Sequence, residues 1–293
     1  MGPPVRFLPE PVRIAFDAFR HFNADDGWAI ASHIALSALM SLFPFLLVVT
    51  ALAGIIGGSK ELADVAAGIL LQAWPEQVAT PIAREIHDVL SSANGQVLTV
   101  GVVLALYFAS SGVESLRIGL NRAYNVIEPR SWWLLRLESI AYVVIGAVAL
   151  LAFAFLVVLA PLIWRAAMRH AAWLEPFGAL IDFTRFIAAA LVLVIALLIV
   201  HLWLPAGRRS LREIAPGVIA TLALWLIGGA AFGRYLADFA FAYTIYYAGL
   251  ASAMIALVFL YVTASIFVYG GELNAVIRHA RQARHAEAAK SAR

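Results

Sequence analysis

The chain has 293 residues, 63% of them hydrophobic and only 13% charged, with a mean hydropathy of +0.87 and a formal net charge of +3. A soluble domain carries about a quarter charged residues, so this composition excludes a soluble enzyme and predicts an all-α, polytopic membrane protein. With no cysteine there is no disulfide framework, thiolate metal site or thiol nucleophile.

Residues 1–27 read as a cytoplasmic N-terminal segment. Pro3, Pro4, Pro9 and Pro11 predict a non-helical stretch over residues 1–11. Val12, Phe16 and Phe19 then recur at helical spacing, with Arg13, Asp17 and Arg20 on another face. That pattern predicts an amphipathic helix lying in the membrane interface; a surface helix packed on the bundle is the alternative. The apolar run that follows exceeds a signal-peptide core of roughly 7–15 residues, which predicts a retained anchor.

Six stretches are predicted to span a bilayer: Trp28–Ile56, Val97–Val113, Ser139–Trp164, Phe186–Leu204, Ile214–Phe232 and Ile245–Gly271. Together they make a transmembrane domain over residues 28–275, followed by a basic cytoplasmic tail at 276–293. Of the 21 Lys and Arg residues, 15 fall in the N-terminal segment, the 114–138 and 205–213 loops and the tail. The excess of positive charge predicts that these segments and both termini are cytoplasmic. The segment of about 59–94 carries two apolar stripes separated by Pro75 and predicts an outer cap of amphipathic helices.

In the first span, Ser37 and Ser41 lie one turn apart and Pro44 withholds a donor from the Met40 carbonyl. A kink or local opening toward a pathway is predicted there. His33 and His201 are the two histidines inside spans, as proton carriers or as interfacial groups.

Between the second and third spans, Ser110–Arg136 gathers Glu114, Arg117, Arg122, Glu128, Arg130 and Arg136. Leu116, Leu120, Tyr124 and Ile127 form an apolar stripe, while Arg117, Asn121 and Asn125 form a polar row on a helix that Pro129 ends. Glu114 stands three residues before Arg117, where the two can pair. The stretch reads as an inner gate or headgroup-binding ledge, or as an elbow locking two spans together. At the end of the last span, Gly270 and Gly271 allow close helix approach. Glu272 and Asn274 follow them, with Glu272 a partner for a loop arginine.

No Gly-rich phosphate loop, HExxH, nucleophile elbow or His/Asp set at metal-ligand spacing occurs. No catalytic residue, metal site, cofactor or nucleic-acid surface is therefore expected. The partners expected are the lipid bilayer and a lipid or small solute.

The segments LMSLFPFLLV, LNRAYNVIEPRSWWLLRL, WLPAGRRSLREIAPGVIATLALW, FGRYLADFAFAYTIYYAGLAS and YGGELNAVI resemble, in order, those of the YihY/BrkB family of bacterial inner-membrane proteins. The resemblance covers nearly the whole chain. It implies a six-span protein acting as a transporter or as an envelope-resistance factor, in a family whose members have often been labelled ribonuclease BN. Leu36 and Ser37 depart from the Tyr-Tyr pair usual in the family, and Gly271 from its alanine. The leading expectation is a transporter or translocase of a small solute, ion or lipid. The alternatives are a non-transporting envelope factor that binds lipid or partner proteins and, third, a membrane ribonuclease, for which the residues show no metal-binding carboxylates or basic groove.

Overall fold

The computed structural model describes residues 9–57, 95–154, 164, 178–247 and 250–291. The predicted cap at 59–94 lies outside the described residues. Every element among those described is helical: α1 (Glu10–Ala24), α2 (Gly27–Gly57), α3 (Gly95–Ala123), α4 (Trp132–Ala154), α5 (Gly178–Trp203), α6 (Leu211–Tyr247) and α7 (Ala251–Ser291). Helices are what apolar runs of this length must form in lipid, where each backbone N–H needs a partner within its own segment.

Among the described residues, four helices are long and apolar enough to cross a membrane: Gly101–Ala123, Trp132–Phe153, Leu211–Asp238 and Ala253–Arg284. Gly27–Leu42 and Ala190–Trp203 are shorter apolar helices. Their outward faces expose Val103, Phe108, Ile145, Leu191, Ile195, Leu226 and Ile227. In water such surfaces would cost about 25 cal/mol per Å²; against acyl chains they cost nothing.

Among the described residues the core has three parts, the smallest of them Leu236, Ile255 and Ala256. Around the charged end, Ile34, Leu120, Tyr124, Leu204, Val218, Phe267 and Val268 pack together. Further along the bundle, Val48, Val49, Ala105, Ala109, Val143 and Ala147 fill the space between α2, α3 and α4 with purely apolar side chains. Gly112 and Gly119, a heptad apart on α3, let α2 approach closely. A Cβ on Gly112 would strike the Ser41 hydroxyl, and one on Gly119 would come within 2.8 Å of Ile34.

Local chemistry corrects several expectations. Helix α1 starts at Glu10, so residues 10 and 11 are helical: Pro11 sits in the first turn, where a missing N–H costs nothing. Asp26, at φ 58°, makes the turn into α2. Helix α2 continues through Pro44. Helix α3 ends at Ala123 rather than at Pro129, because Asn125 adopts φ 49°, a left-handed conformation that asparagine tolerates and a helix does not. The predicted stripe therefore holds at Leu120 and Tyr124, both buried, but fails at Ile127, which is 93% exposed.

Candidate functional site

The charged segments of α1, α3, α4, α6 and α7 meet at one end of the bundle. There α3 and α4 are joined by arginines. Arg117 is buried and donates to Ser139 Oγ at 2.9 Å and to the Leu135 carbonyl at 3.2 Å, with Glu138 at 3.7 Å. Glu114 does not pair with Arg117. It pairs with Arg136 at 2.9 Å, because the helix turns Glu114 toward α4 while Arg117 reaches Ser139. Arg136 also donates to the Tyr107 carbonyl at 2.6 Å and lies 3.7 Å from the centre of the Tyr107 ring.

The α3–α4 loop is clamped by Arg130. Its Nε and one terminal nitrogen grip both oxygens of Glu128 at 2.7 and 2.8 Å. It also reaches Glu138 at 2.7 Å and the Leu204 carbonyl at 3.0 Å. This fork holds the Glu128 carboxyl down to about 2, since a charged donor favours the ionised form. Asn121 donates to Glu128 at 3.0 Å and accepts from the Ala206 N–H at 2.7 Å, which carries the clamp to the α5–α6 loop. The Arg117–Asn121–Asn125 row does not exist as a row: Asn125 is exposed beyond the helix end. Arg122 lies 4.0 Å from Asp25 and 3.9 Å from Asp26, across the α1–α2 turn.

Asn274 on α7 is buried. Its oxygen accepts the Gly217 N–H at 2.6 Å and its amide donates to the Tyr124 hydroxyl at 3.2 Å. A Cβ on Gly217 would collide with the Gly270 carbonyl, so α6 and α7 touch backbone to backbone here. Burial pushes the Tyr124 hydroxyl up to about 12, and the Arg209 guanidinium stacks over its ring at 3.9 Å. Glu272, 1% exposed, makes no ion pair with any loop arginine among the described residues. The reason is that Arg122 turns to the aspartates and Arg130 to Glu128.

The predicted pathway residues of the first span do not converge. His33 and Met40 are exposed on α2. Ser37 is half-buried. Ser41 is buried, donates to the Ala38 carbonyl at 3.2 Å and is wedged against Gly112, so it packs a helix contact and lines no opening. His201 is fully buried, with Nδ1 3.0 Å from the Leu197 carbonyl and the ring edge-on to Phe267.

Sequence reasoning missed the cavity beside this end. An open cavity of about 550 Å³ is bordered by Arg130, by Leu202 and Trp203 at the end of α5, and by Arg208 and Arg209 on the α5–α6 loop, whose turn needs Gly207 at φ 89°. Arg209 donates once, to the Ala206 carbonyl at 2.9 Å; its Nε and its other terminal nitrogen are buried without a partner. No carboxylate lies within ion-pair distance of Arg209 among the described residues. Burial lowers its guanidinium below the ordinary value. The signal was present in the Gly-Arg-Arg triplet 207–209, but nothing in its spacing shows that one arginine is left unpaired.

A family model described as Virulence factor BrkB matches residues 18–293. Among curated proteins, the chain is 28% identical over 261 residues to the ribonuclease-like protein YfkH of Bacillus subtilis (strain 168), spanning 89% of this chain and 94% of that one. It is 26% identical over 276 residues to the UPF0761 membrane protein RC1_0578 of Rhodospirillum centenum (strain ATCC 51521 / SW), spanning 92% of this chain but 58% of that longer one. No solved structure matches the chain. With its apolar helices, its shared segments and a family match over nearly its whole length, the chain belongs to the BrkB/YihY family of membrane proteins.

Proposed function

We propose that the protein is a six-span transporter or translocase of the bacterial cytoplasmic membrane, with both termini on the cytoplasmic side and an anionic solute or lipid as cargo. The observation that carries this reading is Arg209: a guanidinium with unpaired, buried N–H groups at the wall of an open cavity. Arg208 adds a second positive charge, and Leu202 and Trp203 add an apolar wall. A site with basic and apolar walls suits an amphiphile. The two shorter apolar helices, in α2 and α5, support a count of six when added to the four long ones. The exposed Val12, Phe16 and Phe19 give α1 an apolar face suited to the membrane interface.

A second reading, a non-transporting envelope factor that binds lipid, is favoured by the purely apolar filling between α2, α3 and α4 and by a groove of about 410 Å³ between α2 and α7, lined by Ala35, Leu36, Leu257 and Tyr261. We infer no ribonuclease activity: among the described residues, Glu114, Glu128 and Glu138 are each held by an arginine and none is left to serve as a free acid or base.

The deciding experiment reconstitutes the protein in liposomes and follows leaflet exchange of fluorescent phosphatidylglycerol and efflux of small anions. Movement that falls at least roughly tenfold in Arg209→Gln supports transport, as expected for loss of a charged hydrogen bond worth about 1.5–3 kcal/mol. Saturable phosphatidylglycerol binding without movement would establish the second reading. Neither binding nor movement would remove both.

A further inference from the structure

Where α1 meets α7, three side chains from distant parts of the sequence converge. His21 and Asp25 stand one turn apart at the C-terminal end of α1, and Glu272 comes from α7. One ligand atom from each lies within 4.8 Å of the other two. Donors of a tetrahedral set at about 2.1 Å from an ion stand roughly 3.4 Å apart, so side-chain rotations that move the ligand atoms by about an ångström bring all three onto one ion. Glu272 shows that this is more than a chance meeting of surface groups. Its carboxylate is 1% exposed and directed into the cluster, yet it makes no hydrogen bond and no ion pair among the described residues. A buried, unpartnered carboxylate is costly unless something neutralises it.

We propose that His21, Asp25 and Glu272 form a divalent-cation site that takes a transition-metal ion of the Mn²⁺ or Zn²⁺ kind. One imidazole and two carboxylates suit such ions better than Mg²⁺ or Ca²⁺, which favour all-oxygen sets. Two carboxylates offset the two charges of the ion. The competing positive group is Arg122, 4.0 Å from Asp25 and half-exposed, which is free to swing toward Asp26 when an ion enters. His21 is exposed, so the ion has an entry path and room for water in its remaining positions. A bound ion would fasten α1 to α7. This site shares no residue with the Arg209 cavity, and the proposal stands whether or not the protein transports.

The test uses full-length protein purified in detergent through a tag without histidine and stripped with chelator. Mn²⁺ binding is followed by loss of the free-ion EPR signal, and Zn²⁺ binding by calorimetry. One saturable equivalent per chain is expected, weakened at least about 10–100-fold in Glu272→Gln and His21→Ala. His21→Ala changes an exposed residue, so it remains informative if Glu272→Gln fails to fold. Arg122→Gln should tighten binding several-fold by removing the competing charge, which a purely structural role would not do. Absence of saturable Mn²⁺ or Zn²⁺ binding, or affinity unchanged in both Glu272→Gln and His21→Ala, would overturn the proposal.

Discussion

Asn274 on α7 accepts a 2.6 Å hydrogen bond from the backbone N–H of Gly217 on α6, at the point where the two helices touch. Its amide donates to the Tyr124 hydroxyl at 3.2 Å, so one buried side chain ties three segments. Asn274→Ala strands a buried N–H and a phenol, and a loss of about 1–3 kcal/mol is expected. Gly217→Ala drives a methyl into the Gly270 carbonyl and should cost about as much or more. Tyr124→Phe, which strands only one amide hydrogen, should cost about 1 kcal/mol. Thermal unfolding in detergent ranks the three.

Glu114 and Arg136 join α3 to α4 at 2.9 Å. A double-mutant cycle of Glu114→Ala and Arg136→Ala should give a coupling above about 1 kcal/mol, because each change alone leaves a poorly solvated partner. The same cycle for Glu114 and Arg117, which are neighbours in sequence but engage different partners, should couple by less than about 0.5 kcal/mol. Reversed magnitudes would contradict the pairing.

Glu128 gives the charged end its acid sensitivity. Its carboxyl titrates near 2 in the folded protein against an ordinary 4.5, held down chiefly by the Arg130 fork. A depressed carboxyl stabilises the fold above its unfolded value and loses that contribution as pH falls through the folded one. Stability should therefore decline between about pH 5 and pH 2, and, after discounting for water screening, by on the order of 1–2 kcal/mol. Glu128→Gln should start lower at pH 7 and lose less over the same range, as read from unfolding midpoints at each pH.

The chain has no cysteine, so single cysteines can be labelled without background. A spin label at position 16, on the exposed apolar face of α1, should be relaxed by oxygen in vesicles. One at position 13 should respond to a water-soluble nickel chelate. Equal responses at both positions would mean that α1 lies off the membrane.

What could be read from the residues divides along physical lines. The apolar runs were legible as helices because lipid allows few alternatives, and burial of Leu120 and Tyr124 followed from helical phase alone. The partners of the charged groups were not legible. Glu114 was assigned to Arg117 by local spacing, but a guanidinium goes where the next helix offers acceptors, and Ser139 and the Leu135 carbonyl did so. Asn125 left its row because a residue at the end of a helix is free to turn left-handed. Nothing local announces that His21 and Asp25 will meet Glu272, since that meeting depends on how α7 leans on α1.

That leaning also has a consequence for biogenesis. The Tyr269 hydroxyl donates to the Ala15 carbonyl at 3.1 Å, a contact between groups 254 residues apart, and Arg284 pairs with Glu10. At about 5–20 residues per second on the ribosome, α1 emerges roughly 10–50 s before its mate exists. Its half-apolar surface must wait that long on the membrane or on an insertion factor. Assembly is thus closed by α7, and a nascent chain halted before residue 269 presents an unlatched α1 for quality-control proteases to seize.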